Sequence, residues 1–289
     1  MTDEARPPCC PKGSWGAPLD VPHGVKSVDG AGGESFAVGP PEEGLEVYAA
    51  EPPTGAAAAA EKKAVVVFTD VYGLQNRLFA ILDKLAKDLN LYVVAVDCFR
   101  GETKDDHPDD FLDWVRGHPF DENQIIDKEN PTKVHLVGKD IEWCLEFLSR
   151  KYGVNSSNVG AVGFCWGVWA MTKACATGAN FKCGVGFHPS IKLEDAAFGM
   201  DQVAMARLAA ERTPMLYCVA GNDMDNLKPP DGEVARIISS SRRGDAGGKD
   251  EGRRPRCVEF PEQRHGWVSR GDTGEGRVRE DAERALEMA

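Results

Sequence analysis

One cysteine of this chain lies between two glycines in the segment GFCWG, residues 163–167. The apolar run 158–164 before it is typical of a buried strand, and the residues after it are typical of a helix. A side chain on such a sharp turn points clear of the backbone, and small flanking residues are needed because the turn crowds neighbouring main chain. The positive end of the helix favours thiolate over thiol. The pattern indicates that Cys165 is a nucleophile, although a tight turn with a buried thiol would have the same residues.

The partners of the cysteine decide between these two interpretations. A hydrolytic site on a strand–turn–helix of this kind needs an acid after a later strand and a histidine after the last strand, in that order. Asp223 and His265 each directly follow a predicted strand, and their order is the required one. Asp225 is a rival for the acid, but it lies two residues further from its strand. We therefore predict a triad of Cys165, Asp223 and His265.

Two backbone N–H groups are candidates for an oxyanion hole. One belongs to Trp166, which follows the nucleophile, and the other to Val71, in the loop after the early strand 64–70. Asp70 lies at the tip of the same strand, where its carboxylate could approach the thiol and activate it. The alternatives for Asp70 are a helix N-cap or a solvated loop carboxylate.

The elements that must position these residues alternate along the chain. Alternating strands and helices predict an α/β protein with a doubly wound, mostly parallel sheet and helices on both faces. In such a sheet, functional groups gather at the carboxyl ends of the strands. An edge hairpin is predicted over 35–51, and the other predicted strands are 64–70, 91–97, 158–164, 181–189, 213–221 and 256–262. Helices are predicted over 76–90, 134–153 with a C-cap at Gly153, and 166–178, and near 200–211, 231–240 and 276–288.

The segments outside this rhythm suggest the domain organisation. Residues 1–33 are rich in Pro and Gly and read as a partly irregular N-terminal leader. Residues 34–289 form a single predicted domain. Within it, 101–133 is a possible cap whose aromatic residues either line a pocket or pack against the sheet. The charged, Gly-rich run 241–256 is predicted to be a surface loop.

Composition excludes several classes of protein. A formal net charge of −12 argues against a nucleic-acid surface or an anionic membrane as partner. Nine cysteines without a CxxC pair argue against a disulfide framework or a structural zinc site. The N-terminus has no apolar signal region, and no apolar run approaches the roughly 18 residues of a membrane span. We expect a cytoplasmic protein, with an organelle as the alternative. It needs no metal or organic cofactor, acts on a small molecule and is a monomer or small homo-oligomer.

Five segments together resemble the dienelactone hydrolase (carboxymethylenebutenolidase-like) family of α/β-hydrolases: DVYGLQNR, VAVDCFRGE, VGFCWG, AGNDMDN and RHGWVSRGD. The leader CCPKGSWGAP and the segment FHPS at 187–190 resemble its eukaryotic branch. The resemblance covers about residues 34–289 and implies the α/β-hydrolase fold. It also implies that Cys165 is the nucleophile, His265 the base and Asp223 the residue that orients His265.

The resemblance bears on three further residues. Asp70 takes the position where family members hold an acidic residue that is thought to accept the thiol proton when substrate arrives. That residue is Glu in the bacterial pattern, and Asp is one methylene shorter. Family members also hold a substrate carboxylate with arginines. Arg100 and Arg270 lie near the corresponding places with a spacing that differs by one residue, so they are candidates, with a solvent-facing arginine as the alternative.

These observations predict a cysteine hydrolase of small esters or lactones. A second hypothesis is a non-catalytic ligand-binding or regulatory protein on the same fold, but such a protein would not need all three residues of the triad. A third is a redox sensor that uses Cys165. It would need a resolving cysteine nearby, and Cys175, about 15 Å further along the helix, is too far for a disulfide.

Overall fold

The computed structural model describes residues 32–53, 61–107, 109–125, 134–241 and 254–289. Nearly all of the predicted leader lies outside these residues, as do most of the predicted surface loop and the last part of the predicted cap. The boundaries assigned to the leader and to the single domain stay predictions.

Eight strands of the described residues form one sheet, in the order β1-β2-β4-β3-β5-β6-β7-β8. The six strands from β3 to β8 run parallel, and β2 runs antiparallel to both β1 and β4. The edge hairpin and the doubly wound parallel core are therefore as predicted. The strands are β1 Glu34–Val38, β2 Leu45–Ala50, β3 Ala64–Phe68, β4 Tyr92–Val96, β5 Val159–Phe164, β6 Gly184–Phe187, β7 Met215–Ala220 and β8 Arg256–Phe260.

The helices follow the predicted alternation, with three short additions. They are α1 Asn76–Leu89, α2 Phe111–Arg116, α3 Val137–Phe147, α4 Trp166–Thr177, α5 Leu193–Ala196, α6 Gln202–Arg212, α7 Glu233–Ser239, α8 Trp267–Arg270 and α9 Gly276–Glu287. The short helices α2, α5 and α8 were not predicted, because one turn or little more is too short to show a helical period. A π-helical turn continues α3, and Gly153 ends it with a φ of 69° in the left-handed region, as predicted. Within the described residues, every helix is too short or too polar to cross a membrane.

Each central strand is apolar on both sides because helices cover both faces of the sheet. Along β3, Val66 and Phe68 face the layer that contains α3, α4, α6 and α7. Val67, between them, faces the layer that contains α1, α8 and α9. Since successive side chains of a strand point to opposite faces, a strand covered on both sides must be apolar throughout. This is the physical reason for the continuous run AVVVF.

The described part of the possible cap packs over the residues that follow β4. Trp114, in α2, stacks on Phe99 at a ring-centroid distance of 4.4 Å, and Phe99 contacts the ring of Trp166 at 4.5 Å. His118 and Phe120 are also buried. Of the two interpretations of these aromatic residues, the described residues favour packing, because the side chains form one layer against the first residue of α4.

The turn between β5 and α4 is so tight that two of its residues must be glycine. A Cβ atom on Gly167 would lie 2.2 Å from the carbonyl oxygen of Phe68, at the end of β3, and one on Gly163 would lie 2.6 Å from the carbonyl oxygen of Gly167. Cys165 between them has a φ of 52° and a ψ of −113°, which an L-residue adopts only under constraint. The reason inferred from the sequence for the two glycines, crowding of neighbouring main chain, is confirmed.

This close approach predicts a difference in stability between two Gly→Ala variants. Gly167→Ala is expected to lower the free energy of unfolding by about 1–3 kcal/mol or more, because the new methyl group overlaps backbone that cannot rotate away. Gly276→Ala is the matched control. It adds the same methyl group to the first turn of α9, where nothing lies within 4 Å. It should be neutral or stabilising by a few tenths of a kcal/mol. Equal denaturant midpoints for the two variants would contradict the prediction.

Candidate active site

Cys165, Asp223 and His265 meet at the carboxyl edge of the sheet. They follow β5, β7 and β8, and because these strands run parallel, all three residues are delivered to the same edge. The imidazole Nδ1 of His265 lies 2.6 Å from Oδ1 of Asp223, and both side chains are buried. A carboxylate only accepts hydrogen bonds, so this contact fixes the proton on Nδ1 and leaves Nε2 as the acceptor.

The acid beside the histidine is Asp223 and not Asp225. Its second oxygen, Oδ2, accepts a hydrogen bond of 2.7 Å from the backbone N–H of Ala220, so the carboxylate is held from both ends. The backbone N–H of His265 donates to Oδ1 of Asn222 at 2.6 Å, which anchors the histidine loop to the same turn. The side chain of Asp225 is 99% exposed and pairs with Lys228. Sequence reasoning missed Asn222, although its place directly before Asp223 was a usable signal.

Ser190 was also missed, and it lies between the nucleophile and the histidine. Its Oγ is 3.4 Å from Sγ of Cys165 and 3.4 Å from Nε2 of His265. The side chain is fully buried. The signals in the sequence were its place in the segment FHPS and its position shortly after the strand β6, whose carboxyl end lies at the same edge.

His188 packs against the other side of the imidazole. Its ring stands edge-on to His265 at a centroid distance of 5.0 Å and to Trp267 at 5.4 Å. It is fully buried, and its backbone has a φ of 43° in the left-handed region, which is uncommon outside glycine. The chain therefore turns sharply after β6, and the turn sets a ring that limits rotation of the His265 side chain.

The two backbone N–H groups predicted for an oxyanion hole belong to Val71 and Trp166. Within the described part of the chain, neither Val71 nor Trp166 donates its backbone N–H to an acceptor. Trp166 is the first residue of α4, where N–H groups have no partner inside the helix. Val71 follows β3, against whose end the first turn of α4 packs, and its carbonyl is held by the N–H of Lys104. Both residues are fully buried.

Asp70 and Arg270, which the sequence proposed for different roles, pair with each other. Nε of Arg270 lies 3.0 Å from Oδ2 of Asp70, with side-chain exposures of only 4% and 7%. The same Oδ2 accepts a hydrogen bond of 2.8 Å from Ser269, and Oδ1 accepts one of 2.9 Å from the N–H of Tyr72. The guanidinium also lies 4.9 Å from the centroid of the Tyr72 ring. Neither side chain is exposed, so Asp70 is not a solvated loop carboxylate and Arg270 is not a solvent-facing arginine. Asp70 is not a helix N-cap either, because Gln75 takes that position before α1.

Arg100 is engaged elsewhere. Its guanidinium forms two hydrogen bonds with the buried carboxylate of Asp140, at 2.6 and 2.7 Å. It also donates to the carbonyl oxygens of Cys98 and Glu43. These contacts use four of the five N–H groups of the guanidinium. The geometry therefore favours a structural ion pair over a substrate contact for Arg100.

The other cysteines that are buried among the described residues are poor nucleophiles near neutral pH. Burial raises the pKa of Cys98, and it raises the pKa of Cys144, Cys175, Cys218 and Cys257 to about 11 or 12. A raised thiol pKa means that the neutral form persists to higher pH. No group of three or more His, Cys, Asp or Glu side chains among the described residues is placed to hold a metal ion.

A sequence model of the dienelactone hydrolase family matches residues 45–231, about 65% of the chain. The chain belongs to the dienelactone hydrolase family. The match includes the cysteine turn, residues 163–167, and Asp223, and it ends before the segment that contains His265. Membership makes the chain a hydrolase that acts on ester or lactone bonds, and so one with a small-molecule substrate. No significant relative is found among curated proteins.

Solved structures share the fold of this family member. A candidate dienelactone hydrolase from Klebsiella pneumoniae aligns with a TM-score of 0.55 at 16% identity, over 84% of this chain and 92% of that one. A hyperthermophilic esterase from Pyrobaculum calidifontis aligns with a TM-score of 0.53 at 14% identity, over 89% and 82%. The acylaminoacyl peptidase of Pyrococcus horikoshii aligns with a TM-score of 0.57 at 13% identity, over 89% of this chain and 40% of that one. The predicted α/β-hydrolase fold is thus confirmed.

The carboxylate assignment predicts unequal effects of two Asp→Asn variants. Asp223→Asn is expected to lower kcat/KM for an activated ester by about 10³–10⁴-fold, because an amide at this position favours the wrong tautomer of His265. Asp225→Asn should change it less than about twofold, since that side chain points into solvent and its surface ion pair is weak. Steady-state kinetics at pH 7.5 or so, with thermal melts to show that both variants fold, makes the comparison. Reversed effects would mean that Asp225 is the acid.

Proposed function

We propose that this family member is a cysteine hydrolase of small esters or lactones, with Cys165 as nucleophile, His265 as base and Asp223 as the residue that orients His265. The observation that carries the proposal is the constrained turn at Cys165, whose backbone places the thiol at the sheet edge where the paired imidazole and carboxylate lie. A turn that merely buried a thiol would not require the partners to converge on it.

The reaction runs in two steps. His265 takes the thiol proton, the thiolate attacks the substrate carbonyl, and the N–H groups of Trp166 and Val71 stabilise the negative oxygen of the tetrahedral intermediate. The imidazolium then protonates the leaving oxygen as its bond to carbon breaks, which leaves a thioester on Cys165. In the second step His265 takes a proton from water, the hydroxide attacks the thioester, and the thiol and the free acid are restored.

Thiol chemistry favours some substrates over others. A thiolate is a better leaving group than an amine, so a tetrahedral adduct with an amide returns to substrate more readily than it goes forward. An ester or lactone carries an alkoxide or enolate leaving group that competes better. In a lactone the leaving oxygen stays tethered to the acyl group, so ring opening requires a fast second step. We therefore expect activated esters and lactones to be better substrates than amides.

Asp70 is the candidate for a second acceptor of the thiol proton. Its carboxylate is bound by Ser269, by Arg270 and by the N–H of Tyr72, so it must exchange a partner before it can reach the thiol. An anionic substrate that paired with Arg270 would compete with Asp70 for the guanidinium. By this competition, the substrate itself would release the carboxylate of Asp70 from Arg270 and allow it to move towards Cys165.

The proposal therefore includes an ion pair between Arg270 and a carboxylate of the substrate. The protein has a net charge of −12, so an anionic substrate needs a local cation to be held at the site. A charge-assisted contact contributes about 1.5–3 kcal/mol, or about 10–150-fold in binding. Arg270 is the stronger of the two candidate arginines, because Arg100 is bound twice by Asp140.

Substrate charge is tested by comparing carboxylate-bearing esters or lactones with their neutral methyl esters. We expect kcat/KM of the wild type to be about 10-fold or more higher for the charged member of each pair. Arg270→Gln should abolish the preference and spare the neutral substrates. Asp70→Asn combined with Arg270→Gln serves as a folding control, since it leaves no buried charge unpaired. Equal rates for charged and neutral pairs in the wild type would contradict the substrate class.

A ligand-binding protein and a redox sensor are the competing functions. Neither needs a thioester, so the decisive experiment looks for one. Wild type is expected to turn over activated esters or lactones, dienelactones included, and to carry the acyl group on the peptide that contains Cys165. Cys165→Ala should lose at least about 10³-fold in kcat and show no acyl peptide.

Cys175→Ala is the matched control for this experiment. It removes another buried thiol from the same helix, and burial raises its pKa to about 11, so it cannot compete as a nucleophile at neutral pH. Its activity should stay within about twofold of wild type, with some loss of stability. A redox sensor or a binding protein would instead show no turnover and no acyl peptide in the wild type.

A further inference from the structure

Ser190 is fixed to the nucleophile by its backbone as well as by its side chain. Its N–H donates to the carbonyl oxygen of Cys165 at 3.1 Å, and its own carbonyl accepts from the N–H of Leu193 at 3.1 Å. The N–H of Cys165 in turn donates to the carbonyl of Phe187, the last residue of β6. The turn after β6 and the cysteine turn are thus joined by two hydrogen bonds, and the Ser190 hydroxyl has a set position between Sγ and Nε2.

The hydrogen-bond donors and acceptors of Cys165, Ser190 and His265 give the chain of hydrogen bonds a direction. The Asp223 carboxylate fixes a proton on Nδ1 of His265, so Nε2 carries a lone pair. With this tautomer the Ser190 hydroxyl can bond Nε2 only as a donor, and its oxygen can accept from the S–H group of Cys165. The groups follow one another as thiol, hydroxyl, imidazole and carboxylate, with every proton pointing towards Asp223.

We propose that Ser190 relays the thiol proton of Cys165 to His265. The inference rests on the proposed function, in which Cys165 is the nucleophile and His265 the base. In the relay step the S–H bond breaks and its proton binds Oγ of Ser190, while the O–H bond of Ser190 breaks and that proton binds Nε2. The products are a thiolate, an imidazolium and an unchanged serine, so atoms and charge balance without a further reactant.

The relay also stabilises its own product. After the transfer, the hydroxyl proton that came from sulfur points back at the thiolate and donates a hydrogen bond to it. Hydrogen bonds to charged groups are about twice as strong as neutral ones, so the contact strengthens when the charge forms. The two distances of 3.4 Å suit a resting state, because catalytic hydrogen bonds in ligand-free enzymes are often long and shorten when the reaction begins.

The test compares Ser190→Ala with Ser190→Thr in the full-length enzyme. Ala removes the hydroxyl but keeps the N–H that binds the carbonyl of Cys165, and Thr keeps both. We follow thiolate formation by ultraviolet absorbance against pH, with each variant corrected by the same variant carrying Cys165→Ala. In Ser190→Ala the pKa of the Cys165 thiol should rise by about 1–2 units, and acylation near neutral pH should slow by about 10–100-fold. The deficit should shrink at high pH, where solvent can remove the proton, and Ser190→Thr should stay close to wild type.

Thr172→Val is the control for loss of a buried hydroxyl. Thr172 lies in α4, and its Oγ1 bonds the carbonyl of Val168 and the hydroxyl of Tyr217, away from the reacting atoms. It should lower the melting temperature without moving the pH profile. If Ser190→Ala does not fold, Ser190→Gly supplies the variant without a hydroxyl.

Three outcomes overturn the relay: an unchanged thiol pKa in the variant without a hydroxyl, a rate deficit that is the same at every pH, or a Thr variant as slow as the Ala variant. Failure of the proposed function has a different signature. In that case Cys165→Ala would keep full activity with Ser190 intact, whatever the Ser190 variants do.

Discussion

The close approach of the first turn of α4 to the end of β3 is the constraint on which the candidate site depends. There is no space for a side chain at Gly163 or Gly167, and Cys165, at the centre of the turn, is forced to a φ of 52°. The same approach brings the start of α4 against the loop that begins at Thr69. This packing of main chain on main chain supports the proposal that the N–H groups of Trp166 and Val71 bind one oxyanion.

A second constraint is the burial of the charged groups around this turn. Removing a carboxylate or a guanidinium from water is unfavourable unless a partner replaces the water. Asp223 has His265, Asp70 has Arg270 and Arg100 has Asp140, each pair within 3.0 Å. The first pair fixes a tautomer, the second joins α8 to the loop after β3, and the third tethers the residues after β4 to α3. In an acidic protein, such pairing is how two arginines come to be buried near the active edge.

Rigidity and reactivity are linked through the turn after β6. His188 and Ser190 lie two residues apart, and each contacts the His265 imidazole from its own direction. The backbone at His188 is left-handed, and the chain bends there directly after β6. The histidine is thereby confined on two sides by side chains and on a third by Asp223. In the proposed mechanism, an imidazole held in this way receives its proton without first searching for an orientation.

The sequence by itself determined the alternation of strands and helices, the cysteine turn and the order of Asp223 and His265, because each of these is local: a two-sided strand must be apolar, a crowded turn needs glycine, and parallel strands share one carboxyl edge. It could not show the short helices α2, α5 and α8, which are too short for a helical repeat of apolar residues to be recognised. Nor could it show that Asp70 pairs with Arg270, that Arg100 pairs with Asp140, or that Ser190 stands beside Cys165. Those contacts join residues 25 to 200 positions apart. Only the folded packing of side chains, which no local pattern encodes, decided which buried charge or hydroxyl would meet which partner.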